Sequence, residues 1–368
     1  MAKLHKVAAI DLGTVSSRLV LAEVSDGTIV SSNKHTEITD LGEGVDATGR
    51  FCEGAVERVT AACSTFVNEA RAFGAECICT TLTSAARDVS NGELLLGRLR
   101  DLDLKPQVIS GLVEARLTFF GVAHDFLNER ILVADSGGGS TELVCGSYVQ
   151  QLGTAAERGR TAEGQRGAAR LELEDTQSLN IGCRRVTERF LLSDPATDEE
   201  IARASRWAEE QFSEYWTGAR DGATGAVAGA GRVPCAATCA VCAGDAAKPE
   251  RLVAVGGTVT TLVAMVYELK QYDSAFVHLH DLTLAEVETA IERMRGLVSG
   301  EIATLPGIQP KRARVILAGS LVIRALMRTG GYDRLTVSEN SLLAGMAATI
   351  NEALDGVEPT IGWTPELS

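Results

Sequence analysis

No stretch of the chain approaches the roughly 20 consecutive apolar residues that a membrane span needs, so a transmembrane helix is not expected. An excess of positive charge is missing too. The 35 Lys and Arg stand against 49 Asp and Glu, and the formal net charge of −14 argues against a general nucleic-acid binder. That balance still admits a small anionic substrate, because a local set of arginines and backbone N–H groups, helped by a divalent cation, can hold phosphate within an acidic protein. Histidine is scarce, with five residues, so a separate His-based metal site is not expected and His278 and His280 read as shaping a loop. Nine cysteines, an odd count at irregular spacing, fit no disulfide framework. With no secretory leader before the first apolar run, they read as reduced thiols of a cytoplasmic protein.

What is present suffices for a sizeable core: 45% of 368 residues are apolar, a length that suggests two domains. Residues 7–38 read as strand, glycine turn, strand, turn, strand, with Asp26-Gly27 as the hairpin signal. Val56, Val59, Ala62, Phe66 and Ala70 recur at helical spacing. A strand at 77–83, a helix near 91–101, a strand at 107–110 and a helix from 112 to 124 follow, the alternation of a helix-covered sheet. About 125 residues after its start the pattern begins again with ILVADSGGGSTELVCG. Two copies of one hairpin-first α/β unit imply two lobes, here 1–125 and 126–350, with both glycine turns facing a cleft. Residues 217–250, rich in Gly, Ala and Thr, read as an inserted flexible loop. Helices near 258–269, 283–295, 311–328 and 340–353 and a strand at 334–337 complete the second lobe, and 351–368 reads as a loose tail.

Three glycine turns carry the chemistry. The first, Asp11-Leu-Gly-Thr14-Val15-Ser16-Ser17-Arg18, ends a strand and offers small hydroxyls and N–H groups to phosphate, with Asp11 placed for a metal or its water. The second, Asp135-Ser-Gly137-Gly138-Gly139-Ser140-Thr-Glu142, spends three glycines, each costing roughly 0.5–1 kcal/mol in regular structure, and close backbone approach to a ligand explains them. Its terminal carboxylates suit Mg²⁺ shared with substrate phosphates. In the third, Gly256-Gly257-Thr258, a strand gives way to a helix N-terminus with unpaired N–H groups for an anion.

Together the three turns resemble the phosphate-1, phosphate-2 and adenosine motifs of the two-lobed, RNase H-like actin, Hsp70 and sugar-kinase superfold. The segments AAIDLGTVSSRLVLAEV, TTLTSAARDV, VISGLVEARLTFFGV, NIGCRRVTERFL, LVAVGGTVTTLVAM and TLPGIQPKRARVILAGSLVI resemble, in order, the exopolyphosphatase and guanosine pentaphosphate phosphohydrolase family. They resemble its short form, without the C-terminal HD-like domain. The resemblance implies removal of terminal phosphate from polyphosphate or guanosine pentaphosphate, with Glu114 as the base that activates water. It implies Asp11, Asp135 and Glu142 at Mg²⁺ or another divalent cation. It implies Arg87, with Arg18, on phosphate, beside Thr14, Ser16, Ser17, Gly137 to Ser140, Gly256, Gly257 and Thr258. A homodimer is left open. Val15 replaces the family's usual asparagine, which bears on substrate preference.

Two other classes stay open at this point. Cys235, Cys239 and Cys242 have a C-x3-C-x2-C spacing that iron–sulfur clusters and zinc use, as in an ATP-hydrolysing reductase activator of the same superfold. A non-catalytic, nucleotide-binding actin-like scaffold is the third reading.

Overall fold

The computed structural model describes residues 3–150, 169–217 and 248–368. Its first sheet comprises β1 (His5–Leu12), β2 (Ser16–Ser25), β3 (Thr28–Ile38), β4 (Cys77–Leu82) and β5 (Pro106–Val108), in the order β3-β2-β1-β4-β5. The second comprises β6 (Arg130–Ser136), β7 (Thr141–Gln150), β8 (Ala169–Leu179), β9 (Arg251–Val255), β10 (His280–Thr283) and β11 (Arg334–Val337), ordered β10-β11-β9-β6-β7-β8. Leaving out β10, the two orders coincide: an antiparallel hairpin first, then parallel strands joined through helices. The repeat read in the sequence is thus a repeat of topology, and the fold is the two-lobed actin-like α/β architecture. Asp26 and Gly27, at φ 51° and 68°, make the tight turn between β2 and β3.

Each lobe closes because its strands are apolar on both faces. In β1, Ala8, Ile10 and Leu12 pack under the helix Glu53–Phe73, through Val59, Cys63 and Phe66. Val7 and Ala9 point to the opposite face, against Leu343, Met346 and Ile350 of the helix Leu342–Leu354. That last helix was expected in the second lobe. It belongs with the first, because its apolar face is what covers β1 and β2. The expected loose tail is also corrected: Ile361 is buried, Leu367 bridges to Cys79, and Ser368 exchanges backbone hydrogen bonds with Ile78.

The helix Gly111–Ala123 joins the lobes and is apolar nearly all round. Leu117 and Phe120 pack with the first sheet and the last helix, while Ala115, Phe119 and Val122 pack on Ile131, Val133 and Val253 of the second sheet. It crosses the last helix at two glycines. A Cβ on Gly345 would stand 1.9 Å from Leu117 O, and one on Gly121 would stand 2.3 Å from Ser341 O. Only glycine permits so close a crossing.

Strand β8 and the helices Cys183–Phe190 and Asp198–Thr217 carry no reading from the sequence; the second of these helices buries Ile201, Ala204, Ala208 and Phe212 against the long helix Ala313–Gly330. Segment 217–250, with Cys235, Cys239 and Cys242, lies outside the described residues except at its ends. Among the described residues no helix is long and apolar enough to cross a membrane.

Candidate active site

Strands β1, β6 and β9 run parallel within their sheets and end at the three glycine turns, which places the site at the carboxyl ends of strands, where open α/β sheets bind ligands. The first two turns have one geometry: Gly13 N donates to Ser16 O at 3.0 Å, and Gly137 N donates to Ser140 O at 3.0 Å. They face each other across a narrow cleft that opens to solvent. Thr14, Ser16, Arg18, Glu114, Asp135, Gly137 to Ser140, Gly256, Gly257 and Thr258 all line it.

The second turn points its carbonyls at protein donors and leaves the amides that follow them free. The carbonyls of Gly137, Gly138 and Gly139 accept bonds from Cys183 N (3.0 Å), Arg184 N (2.9 Å) and Arg185 Nε (2.9 Å). In a trans peptide the next N–H points the opposite way. The amides of Gly138, Gly139 and Ser140 therefore point away from those donors, and among the described residues none of the three has an acceptor. Glycine is required here for a reason the sequence did not disclose. A Cβ on Gly138 would meet Val15 Cγ2 at 2.7 Å and Thr14 Cβ at 2.8 Å, and one on Gly139 would meet Ser84 Oγ at 2.5 Å. The close approach is by the other lobe. At the third turn Gly256 adopts φ 104°, with Asp135 Oδ1 3.3 Å from its absent Cβ.

Of the expected site residues, Asp11, Arg87 and Glu142 sit behind the cleft lining, and Ser17 is turned away from it. Side chains alternate along β2, so Ser16 and Arg18 face the cleft while Ser17 is fully buried behind them, its Oγ 2.9 Å from Thr39 Oγ1. Arg87 stands behind the cleft lining, against Glu114: Nη1 donates to Glu114 Oε2 at 2.8 Å and to Ile109 O at 3.0 Å, and Nη2 lies 3.8 Å from Glu142 Oε1. Arg18 Nη2 lies 3.1 Å from Asp11 Oδ2. Both arginines expected on phosphate are therefore held in ion pairs with site carboxylates.

Four buried carboxylates share this small space, and burial raises the pKa of each. Glu114 is pushed up to about 7, with Arg87 opposing the rise. Asp11 is pushed up to about 6, with Arg18 opposing and the Asp135 charge adding to it. Asp135 rises through burial, offset by Arg18 and by the 3.1 Å bond it accepts from Thr118 Oγ1. Glu142 rises through burial and then the Glu114 charge, offset in part by Arg87 and by Ser178, whose Oγ donates at 2.7 Å.

A divalent cation fits part of the expected ligand set. Oδ1 of buried Asp11 has no hydrogen-bond donor while Oδ2 faces Arg18, and the Thr118 bond uses one oxygen of Asp135, leaving Oδ1 near Gly256. Glu142 does not join them: among the described residues no three Asp, Glu, His or Cys groups converge as a ready-made metal set. Its carboxylate is drawn toward Ser178 and Arg87 instead. Mg²⁺ needs only one or two carboxylates when water and substrate phosphates complete its shell, so Asp11 and Asp135 match its donor chemistry.

Arg312 is a site residue that sequence reasoning missed. Its guanidinium lies over the third turn, 2.0 Å from where a Gly257 Cβ would stand, and Nη2 reaches Ser16 Oγ of the other lobe at 3.3 Å. Burial pulls its pKa down from the ordinary arginine value, and Arg18 adds to that. Among the described residues it makes no ion pair, and it sits at the positive end of the helix Gly257–Val266. The signal available was Lys311-Arg312 just before a long helix. Thr83, Ser84, Ser136 and Cys183 complete the wall, and Thr118 and Ser178 act behind it.

A model of the Ppx/GppA phosphatase family matches residues 20–351. Exopolyphosphatase 2 of Mycobacterium tuberculosis is 32% identical over 363 residues, covering 94% of this chain and 99% of that protein. The solved Ppx/GppA family member of Aquifex aeolicus aligns at a TM-score of 0.67 and 26% identity, over 96% of this chain and 99% of its own. An exopolyphosphatase structure from Cytophaga hutchinsonii shares the fold at a TM-score of 0.71 and 20% identity, over 98% of this chain and 100% of its own.

Proposed function

Because the chain belongs to the Ppx/GppA phosphatase family, we propose that it is an exopolyphosphatase, a phosphoric anhydride hydrolase that releases terminal orthophosphate from inorganic polyphosphate. One observation carries the reading at the level of chemistry. Two half-buried arginines, Arg18 paired with Asp11 and Arg312 without an ion pair among the described residues, converge with three free amides and a helix N-terminus on a cleft that also holds the Glu114 carboxylate. Anion binding and hydrolysis are thereby combined in one space.

Glu114, in its ionised form, accepts the proton of a water attacking the terminal phosphorus in line, and the bond to the bridging oxygen breaks. Arg87 holds Glu114 Oε2, so the carboxylate is oriented before substrate arrives. The amides of Gly138, Gly139 and Ser140 and the Arg312 guanidinium bind the oxygens on which charge builds. A Mg²⁺ ion held by Asp11 and Asp135 would neutralise charge on the transferred group. The six described cysteines are all unpaired, in keeping with a cytoplasmic setting. Family membership removes the reductase activator and the scaffold as readings of the whole chain.

The test is phosphate release with Mg²⁺ from long polyphosphate, tripolyphosphate and guanosine pentaphosphate. Release from the first, one orthophosphate at a time, is expected. Release from guanosine pentaphosphate alone would move the substrate to the nucleotide, and no release from any of the three would overturn the reading.

A further inference from the structure

The helix Cys183–Phe190 belongs to the second lobe but grips the first. Arg184 pairs with Asp40, and Arg185 with both Asp46 and Asp88. Arg189 meets Asp46 through two bonds of 2.5 and 2.7 Å, and Glu188 accepts from Gly44 N at 3.1 Å. Each arginine here has a carboxylate, so this patch is not another anion site. Its distinguishing feature lies on the other side of the same residues. The first turn of this helix caps the carbonyls of Gly137 and Gly138, and Arg185 Nε caps Gly139 O. One guanidinium thus carries three acceptors: the phosphate turn through Nε, Asp46 through Nη1 and Asp88 through Nη2.

We propose that Arg185 is the positioning residue that couples closure of the two lobes to the shape of the Gly137–Ser140 phosphate cradle. The argument follows from the fork geometry of guanidinium, whose donors are rigid with respect to one another. With Asp46 and Asp88 in place, the plane of Arg185 is fixed from the first lobe, and Nε stays on Gly139 O. When the lobes separate, both carboxylates withdraw. Arg185 is then released, the Gly139–Ser140 peptide can rotate, and the Ser140 amide leaves its aim. The cradle is assembled only when the cleft is closed, so phosphate binding and closure reinforce each other.

This rests on the phosphohydrolase reading for its kinetic arm but not for its structural arm. Asp46→Asn combined with Asp88→Asn changes only the first lobe, away from the reacting groups. Small-angle X-ray scattering without substrate should show a larger radius of gyration than wild type, and the KM for polyphosphate should rise about tenfold while kcat changes little. Arg185→Ala, which also frees Gly139 O, should raise KM similarly and lower kcat about tenfold besides, with Arg185→Lys recovering only part. Unchanged radius of gyration and KM in the double variant would overturn the proposal. So would an Arg185→Ala protein that melts earlier yet keeps both constants. A wild type that releases no phosphate would defeat the functional reading alone, since the scattering comparison would still decide the coupling.

Discussion

Asp11 and Asp135 occupy the same place in two copies of one hairpin, yet across its strand pair Asp11 faces Arg18 while Asp135 faces Glu142. The next positions differ in the same sense. The first turn carries Thr14 and Val15 where the second carries Gly138 and Gly139, and those two side chains fill the space above the two glycines. One copy supplies charge compensation and side chains, and the other supplies bare backbone and net negative charge. The cleft floor is built from that inequality. A bare amide cradle can be covered only by a partner turn bulky enough to reach it, and a cation site can stay incomplete only if its second carboxylate lacks a built-in arginine.

The sharpest way to break this division is to remove the group that depends on both copies. Glu114→Gln keeps shape and the Arg87 contact but loses the base, and turnover should fall by about 10² to 10⁴ with folding intact. Retention of half the wild-type rate would remove Glu114 from that role. Charge removal at the two aspartates should then separate the copies. Asp135→Asn should raise the Mg²⁺ concentration for half-maximal rate by about tenfold or more, and Asp11→Asn by less, because Arg18 already offsets part of the Asp11 charge. Arg18 touches Asp11 but acts on Asp135 only through space, so a Mg²⁺ titration of rate in both variants checks the order, and equal shifts would show that this contact does not divide the copies.

The hairpin-first lobes are legible in the sequence because VAAI, RLVLAEV and ILVADS are rich in β-branched and aliphatic residues and each is followed by a glycine turn, a local signal. So was the helix that carries Glu114, capped by Ser110, which accepts from Val113 N at 3.3 Å. The last helix was placed in the wrong lobe because its partner surface, β1, lies more than 300 residues away, and no periodicity encodes which sheet an apolar face will cover. Ser17 was read as one of a polar run, whereas strand alternation turned it inward. Arg312 gives no such signal for the opposite reason: it stands at the start of a helix like any surface arginine, and only the packing of that helix against Gly257 brings it to the cleft.

A smaller effect tests the steric half of the comparison. Gly138 has an ordinary negative-φ backbone, so alanine there is opposed by contacts rather than by conformation. Gly138→Ala would meet Val15 Cγ2 at 2.7 Å, an overpacking that should cost about 1–3 kcal/mol of stability and raise KM. Val15→Ala in the same protein should restore part of the loss, since Thr14 Cβ still stands 2.8 Å from the added methyl, as seen in thermal melting and KM together. Failure of that rescue would mean that the lobes do not meet through this pair.

The mildest expectation is a shift along the pH axis, and it joins the two copies through one group. Glu114 must be ionised to act, and burial has pushed it up to about 7 from its ordinary 4.5. The rate should therefore rise with pH through about 7, falling close to tenfold per unit below that point. Stability should move the other way. A carboxyl whose folded pKa lies above its unfolded value contributes stability that is full below about 4.5 and is lost as pH rises through about 7. Asp11, Asp135 and Glu142 are raised too and act with the same sign, so Glu114→Gln is the reference that isolates one of the four. In Arg87→Ala the opposing cation is gone, and the acid limb of kcat should move to higher pH with the plateau lowered. Melting temperatures of wild type and Glu114→Gln at pH 5 and pH 8, set beside the pH–rate curves of wild type and Arg87→Ala, check both signs. A limb that stays in place without Arg87 would mean that the arginine holds the base in position without setting its charge.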